Sequence, residues 1–306
     1  MPFAESVRFR IGTGRGGRRG APCVGRHVSL PYLSMLRALG HIRRMRGGAQ
    51  SHLMRCADGN YSVVKFQNNP QHTRILVNEL LATGLAARLG LPTAPVAVVD
   101  VSPELIRLTP ELCVELPRSR VPCTPGLQFG SRYPADPHRV TMLDFLPDDL
   151  LCQVKNLGDF AGMLAFDKFT CNTNGRQALF FRPERIGAAT AADFPYEAVM
   201  IDQGFCFNAG EWNFPDAPLR GLYSRNRVYE GVRGREAFEP WIERIEKNIT
   251  DRVLHQLVGE IPPEWYGDDL DAVQRLAEQL LRRKRLVADL IYSAKATTRR
   301  PFPNWP

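Results

Sequence analysis

Four polar landmarks follow one another along the chain with types and spacings suited to a polyphosphate and a divalent cation. They are Lys65 in YSVVKF, Glu79 in VNELLATGLAARLGL, Asp167 with Asn172 in FDKFTCN, and Asp202 in VMIDQGF. Phosphoryl transfer asks for groups that hold phosphates and magnesium, and for a base near the acceptor hydroxyl. A lysine closing a strand can point into a cleft and meet α- and β-phosphates, and if buried it needs an acidic partner to stay charged. Glu79, on the helix that follows, is the candidate partner; either residue alone reads first as a solvated surface charge. The D-x-x-x-x-N spacing of Asp167 and Asn172 suits a base and then a metal ligand on one tight loop. Asp202 ends an apolar strand, Gly204 permits a sharp turn after it, and with the Asn172 carbonyl oxygen it would offer magnesium the oxygen ligands it prefers. Taken singly, Asp167 also reads as a loop cap and Asp202 as the start of an Asx turn. Gly47 and Gly48 let backbone approach phosphates, with Ala49, Gln50 and Ser51 as further donors. A Gly-Gly pair opening a hairpin is also a plain turn.

These residues need a scaffold. LSMLRALGHIRRM reads as a short amphipathic helix or strand, and RGGAQSHLMRCADGNYSVVKF as two strands around the Asp58-Gly59 turn. The apolar stripe Ile75, Leu76, Leu80, Leu81, Leu85, Ala86, Leu89 predicts a helix stopped by Gly90 and Pro92. PVAVVDV follows as a buried strand, then a Pro-rich interval, 117–137, as a hinge with LQFGSRY as an extended strand inside it. From 140 the pattern turns mainly helical, in VTMLDFLPDDLLCQVKN and LGDFAGMLAFDKFTCN. QALFF and YEAVMID form a hairpin around a long loop, 182–195, and amphipathic helices fill 236–259 and 268–292. Strands with one helix first and helices later is an α+β order.

Composition restricts the setting. No apolar run approaches the roughly 20 residues needed to span a bilayer. The seven scattered cysteines, without C-x-x-C spacing, suggest reduced thiols and a cytoplasmic protein. The six histidines form no metal-binding pair. Of the formal charge of +8, residues 1–46 carry ten arginines against the single acid Glu5, so the excess belongs to an N-terminal arm. That arm, with GTGRGGRRG, reads as a disordered leader or as a nucleic-acid contact made through phosphates.

GGAQSH with VVKF, NELLATGLAARLGLP, FAGMLAFDKFTCNTNGRQALF and AVMIDQGFCFNAGEWNFPDAPLRGLY together resemble the HipA-like kinases, in particular a stand-alone bacterial HipA-like kinase domain, from about Gly47 to Trp265. The resemblance implies a bilobal protein-kinase-like fold, with a small β-rich N-lobe carrying one long helix and a larger, mainly helical C-lobe. It divides the chain into an arm (1–34), an N-lobe (35–135), a C-lobe (136–295) and a tail (296–306). It implies ATP between the lobes, Lys65 on its phosphates, Glu79 holding that lysine, Asp167 as base, and Asn172 and Asp202 as Mg²⁺ ligands. The resemblance also makes Ser51 the candidate site of self-phosphorylation. GGAQSH in place of G-x-G-x-x-G, Phe166 in place of Arg before the Asp, and DQG in place of DFG separate the chain from conventional eukaryotic-type kinases. The expectation is an ATP- and Mg²⁺-dependent serine/threonine protein kinase. The alternatives are a kinase of small molecules or lipid headgroups, with EWNFPDAPLRGLY on the acceptor side, and a non-catalytic nucleotide-binding regulator whose arm contacts nucleic acid.

Overall fold

A computed structural model describes residues 33–183, 195–267 and 269–306. Most of the proposed arm, and most of the loop inside the second hairpin, lie outside the described residues.

The alternating first third closes on itself as a barrel. Strands β1 (Ser34–Arg44), β2 (His52–Cys56), β3 (Tyr61–Lys65), β4 (Val96–Val101) and β7 (Gly126–Arg132) take the order β1-β2-β3-β7-β4, and β4 returns parallel to β1 to complete the ring. The segment open to helix or strand is thus the strand β1. Strand pleating sends alternate side chains inward, and Met54, Cys56, Val64, Val99 and Val101 form an interior core with Ile106 and Leu112. The hinge expected over 117–137 contracts, because β7 inside it is a central strand bonded to both β3 and β4.

Helix α1 (Ile75–Arg88) follows β3 and is buried over its first twelve residues. A helix apolar all round belongs inside a protein, and α1 lies between the barrel and the helical half. Burying a leucine such as Leu76 or Leu80 contributes about 1.5–3 kcal/mol. Three elements between β4 and β7 have no counterpart in the sequence pattern. The short α2 (Pro103–Leu108) is capped by Ser102, whose Oγ accepts from Leu105 N. The hairpin β5 (Cys113–Leu116) and β6 (Ser119–Pro122) comes next.

The second half departs from expectation at its start. Residues 140–156, expected to be helical, form only one 3-10 segment, Asp148–Gln153. Pro147 supplies no amide proton and clashes with a preceding turn. The apolar residues instead serve as bridges, Leu143 to Phe180 and Val154 to Tyr196, on the edges of the hairpin β8 (Gln177–Phe181) and β9 (Glu197–Ile201). Helix α3 (Asp159–Thr170) precedes that hairpin, and α4 (Glu239–Asn248), α5 (Asp251–Gly259), α6 (Leu270–Arg283) and α7 (Val287–Lys295) follow it. One apolar core joins α1, α3, α5, α6 and α7.

Candidate active site

Lys65, the last residue of β3, is buried, and its Nζ donates to Glu79 Oε1 on α1 and, at 2.7 Å, to Asp202 Oδ1 beyond β9. Burial alone would lower the lysine pKa, but the two carboxylates outweigh it and hold it above the ordinary lysine value. Burial pushes Glu79 up, with Lys65 opposing. Asp202 is less deeply placed, and although burial acts to raise it, contact with Lys65 keeps it below the usual aspartate range. Of the two carboxylates that hold the ammonium, Asp202 is the more exposed, and all three groups line the cleft.

Helix α1 also fixes the turn that carries Asp202. Gly204 N donates to Glu79 Oε1 at 2.8 Å, and a Cβ on Gly204 would lie 2.6 Å from Ile75 Cγ1. Only glycine fits between β9 and the helix there. Next to Glu79, the buried Asn78 donates to the carbonyls of Gly204, Cys206 and Ala209 and accepts from Trp212 Nε1. These bonds hold a segment with several left-handed residues, from Asp202 (φ 61°) to Trp212 (φ 51°). Asn78 was missed in the sequence; its signal is a polar amide beside Glu79 inside an apolar helix.

The structure places Asp167 and Asn172 elsewhere than expected. Asp167 belongs to the last turn of α3 rather than to a loop, and it is 1% exposed. Arg176 donates through Nε to Asp167 Oδ2 at 2.8 Å and through its second terminal nitrogen to Oδ1. Asn172 Nδ2 donates to Oδ1 at 3.0 Å. Gly221, at φ 75°, closes the remaining side, since a Cβ there would stand 2.3 Å from Asp167 Cβ. The same guanidinium donates to Ile201 O and Gln203 Oε1, so the Asp167–Arg176 pair braces the turn that carries Asp202. Neither Asp167 nor Asn172 lines the cleft; Thr173, Asn174, Arg176 and Gln177 do.

The glycine loop connects β1 to β2. Gly47, Gly48, Ala49 and Ser51 line the cleft, and Ser51 is buried. Gln50 does not. Its side chain is tied to Glu115 of β5, donating to the carbonyl and accepting the amide, both at 2.7 Å. The Gln50 side chain therefore anchors the loop to the β5–β6 hairpin. Beneath Gly48, Gln71 Oε1 is buried without a partner.

Between the barrel and the β8–β9 hairpin these groups enclose a cleft of about 1230 Å³. Ala94, Phe129 and Met200 supply apolar lining, and Arg43, Arg46, Arg132 and Arg225 supply cations. The EWNFPDAPLRGLY segment, read as an acceptor contact, is fastened to the protein over part of its length, and its last residue, Tyr223, lines the cleft. Lys168 Nζ, its pKa brought down to about 8 by burial, donates to the carbonyls of Pro218 and Arg220, and Arg283 pairs with Asp216.

Magnesium and ATP fit this donor set. Among the described residues no group of three or more His, Cys, Asp or Glu is assembled that could hold a metal by itself. Mg²⁺ is commonly bound by one or two carboxylates plus substrate phosphates and water. Asp202 and the orphaned amide oxygen of Gln71 match that habit, and the Gly47-Gly48 backbone and Lys65 match phosphate oxygens.

Residues 41–158 match the model of a family described as HipA-like kinase, and over that stretch the resemblance read in the sequence holds. The stretch contains Lys65, Glu79 and the glycine loop and ends before Asp167. Among solved structures, the Helicobacter pylori proinflammatory kinase CtkA is similar at 14% identity and a TM-score of 0.51, covering 86% of this chain and 97% of that one. This likeness shows a kinase-like fold. A Golgi casein kinase with Mn/ADP bound is also similar, at 10% identity and a TM-score of 0.45, covering 88% of this chain and 74% of that one. No curated protein matches the chain.

Proposed function

We propose that the chain is an ATP- and magnesium-dependent phosphotransferase of the cytoplasm, bilobal in the manner of protein kinases, that acts on a protein serine or threonine hydroxyl. The observation that carries the reading is Lys65, buried at a cleft wall between Glu79 and Asp202 beside the Gly47-Gly48 loop. A buried ammonium bonded to two carboxylates from separate elements is expensive to maintain for stability alone. It is useful where polyphosphate must be held and its charge neutralised.

In this reading the apolar lining around Phe129 and Met200, next to the strand end that runs through Tyr133, receives the adenine. Lys65 and the loop amides receive the phosphates. Asp202, with the Gln71 oxygen, would hold the magnesium ion, which when bound draws charge from the phosphate oxygens. Glu79 orients Lys65, and Asp167 acts as a positioning residue through Arg176. Open arginine-lined access favours a protein acceptor over one enclosed small molecule.

The test is transfer of label from γ-labelled ATP, with magnesium, to proteins of a cell extract. Wild type is expected to label discrete proteins and Asp202→Ala to lose that labelling. Equal labelling by both would contradict the assignment.

A further inference from the structure

An alcohol acceptor gives up a proton during transfer, and a carboxylate near its oxygen commonly takes it. Among the described residues the carboxylates lining the cleft are Glu79, Asp144 and Asp202. Glu79 and Asp202 are committed to Lys65. Asp144 is exposed and acts on Tyr133, just past the end of β7, the end assigned above to adenine. Asp167 is sealed by Arg176, Asn172 and Gly221.

What lines the cleft beside Asp202 is the turn between α3 and β8. Thr173 N donates to Phe205 O at 3.1 Å, and Arg176 donates to Ile201 O at 3.0 Å, so residues 173–176 lie against the two flanks of the Asp202 turn. The turn presents Asn174, and Gln177 begins β8 just after it; both line the cleft. Asn174 is half-buried and held in place: its N donates to Asn172 Oδ1, and its Oδ1 accepts from Gly175 N. A side-chain amide offers donors and a neutral acceptor but takes up no proton near neutral pH.

We propose that Asn174 occupies the place from which a carboxylate would serve as base, so that this chain binds ATP well and transfers its phosphoryl group slowly. The inference rests on the nucleotide reading above. In the reaction the bond from the γ-phosphorus to the bridging oxygen breaks, and its electron pair leaves on ADP. The acceptor oxygen forms the new bond to phosphorus. With Asn174 the hydroxyl proton passes to solvent water; with Asp at this position it passes to that carboxylate. Slow transfer is compatible with a cleft built to hold nucleotide, because positioning and charge neutralisation act without the base.

The experiment uses the full chain and magnesium-ATP, with water as the acceptor for ADP release and the protein itself as the acceptor for labelling. Wild type, Asn174→Asp, Asn174→Ala and Asp167→Asn are compared, with ATP affinity and melting temperature measured for each. Asn174→Asp is expected to raise the rate at least about tenfold, at the low end of what a general base contributes. Its rate should fall at acid pH as the new carboxylate protonates, a limb absent from wild type, while ATP affinity stays within about twofold. Asn174→Ala should show no such acid limb, since neither the amide nor the methyl side chain takes up a proton. An Asn174→Asp rate equal to wild type at equal ATP affinity overturns the proposal. So does an Asp167→Asn variant that keeps fold and ATP affinity yet loses all turnover. Absence of ATP binding by wild type overturns the nucleotide reading as well, and it shows in the titration rather than in the rates.

Discussion

Replacing Asp167 by Ala measures what the buried Asp167–Arg176 pair contributes to stability. Asp167 takes two of the four hydrogen bonds made by the Arg176 guanidinium, which is 4% exposed as a residue and keeps only Ile201 O and Gln203 Oε1 after the change. Breaking a buried ion pair by removing one partner costs about 3–5 kcal/mol, because the remaining charge is uncompensated. In a protein of this size each kcal/mol moves the melting temperature by about 2–4 °C, so a fall of about 6–20 °C follows. Replacing both partners, Asp167→Leu with Arg176→Met, removes the stranded charge and is expected to recover much of the loss, as apolar substitutes for buried pairs often do. Differential scanning calorimetry of the single and double variants gives the coupling directly. An Asp167→Ala protein that melts within about 1 °C of wild type refutes the reasoning.

Gly221→Ala sets a Cβ 2.3 Å from Asp167 Cβ at a φ of 75°, and should destabilise by about 2–4 kcal/mol from overpacking and backbone strain together. Gly175→Ala, whose Cβ meets nothing closer than 3.4 Å, should change stability by less than about 1 kcal/mol, and urea unfolding of the two variants measures the contrast. His52 is buried in the barrel with Nδ1 on His41 and faces Arg44, Cys113, Cys123 and the Phe66 ring; burial, then His41 and Arg44, bring its pKa down to about 4. Because the unfolded chain binds its proton from about pH 6.5 downward, stability should fall as pH drops from 6.5 to 4, by about 3 kcal/mol from this group. His52→Gln should flatten that part of the stability profile, and an unchanged slope would remove His52 from the explanation.

The parts of the site that the sequence displays are those built from local pattern. VVKF places Val64 and Phe66 in the barrel core and Lys65 at the cleft, and α1 shows its polar interruption at Asn78 and Glu79 inside an apolar helix. Asp202 before Gly204 was legible because a turn without a Cβ is required there. Spacing does not show the surroundings of Asp167 and Asn172. Five residues on from Asp167, after the left-handed Cys171 ends α3, the chain folds back so that Asn172 bonds to Asp167; the spacing reports a helix terminus. The partner that decides the role of Asp167 is Arg176, and Gly221 closes the pocket from far along the chain. Gln50 and Glu115, likewise, meet only through the β5–β6 hairpin, which no local signal joined to the glycine loop. Residues 140–156 carry a helical pattern, but their backbone at Leu143 and Val154 bridges to Phe180 and Tyr196 instead.

The central claim is that Lys65, beside the Gly47-Gly48 loop, holds nucleotide phosphates. Equilibrium titration of a fluorescent ATP analogue tests it, with and without magnesium, on wild type and on Lys65→Met, each checked by circular dichroism for retained fold. The account predicts saturable, magnesium-strengthened binding to wild type and at least about tenfold weaker binding to the variant, the loss of one charge-assisted contact. Equal affinity in the two proteins, or no saturable binding to wild type, would contradict it.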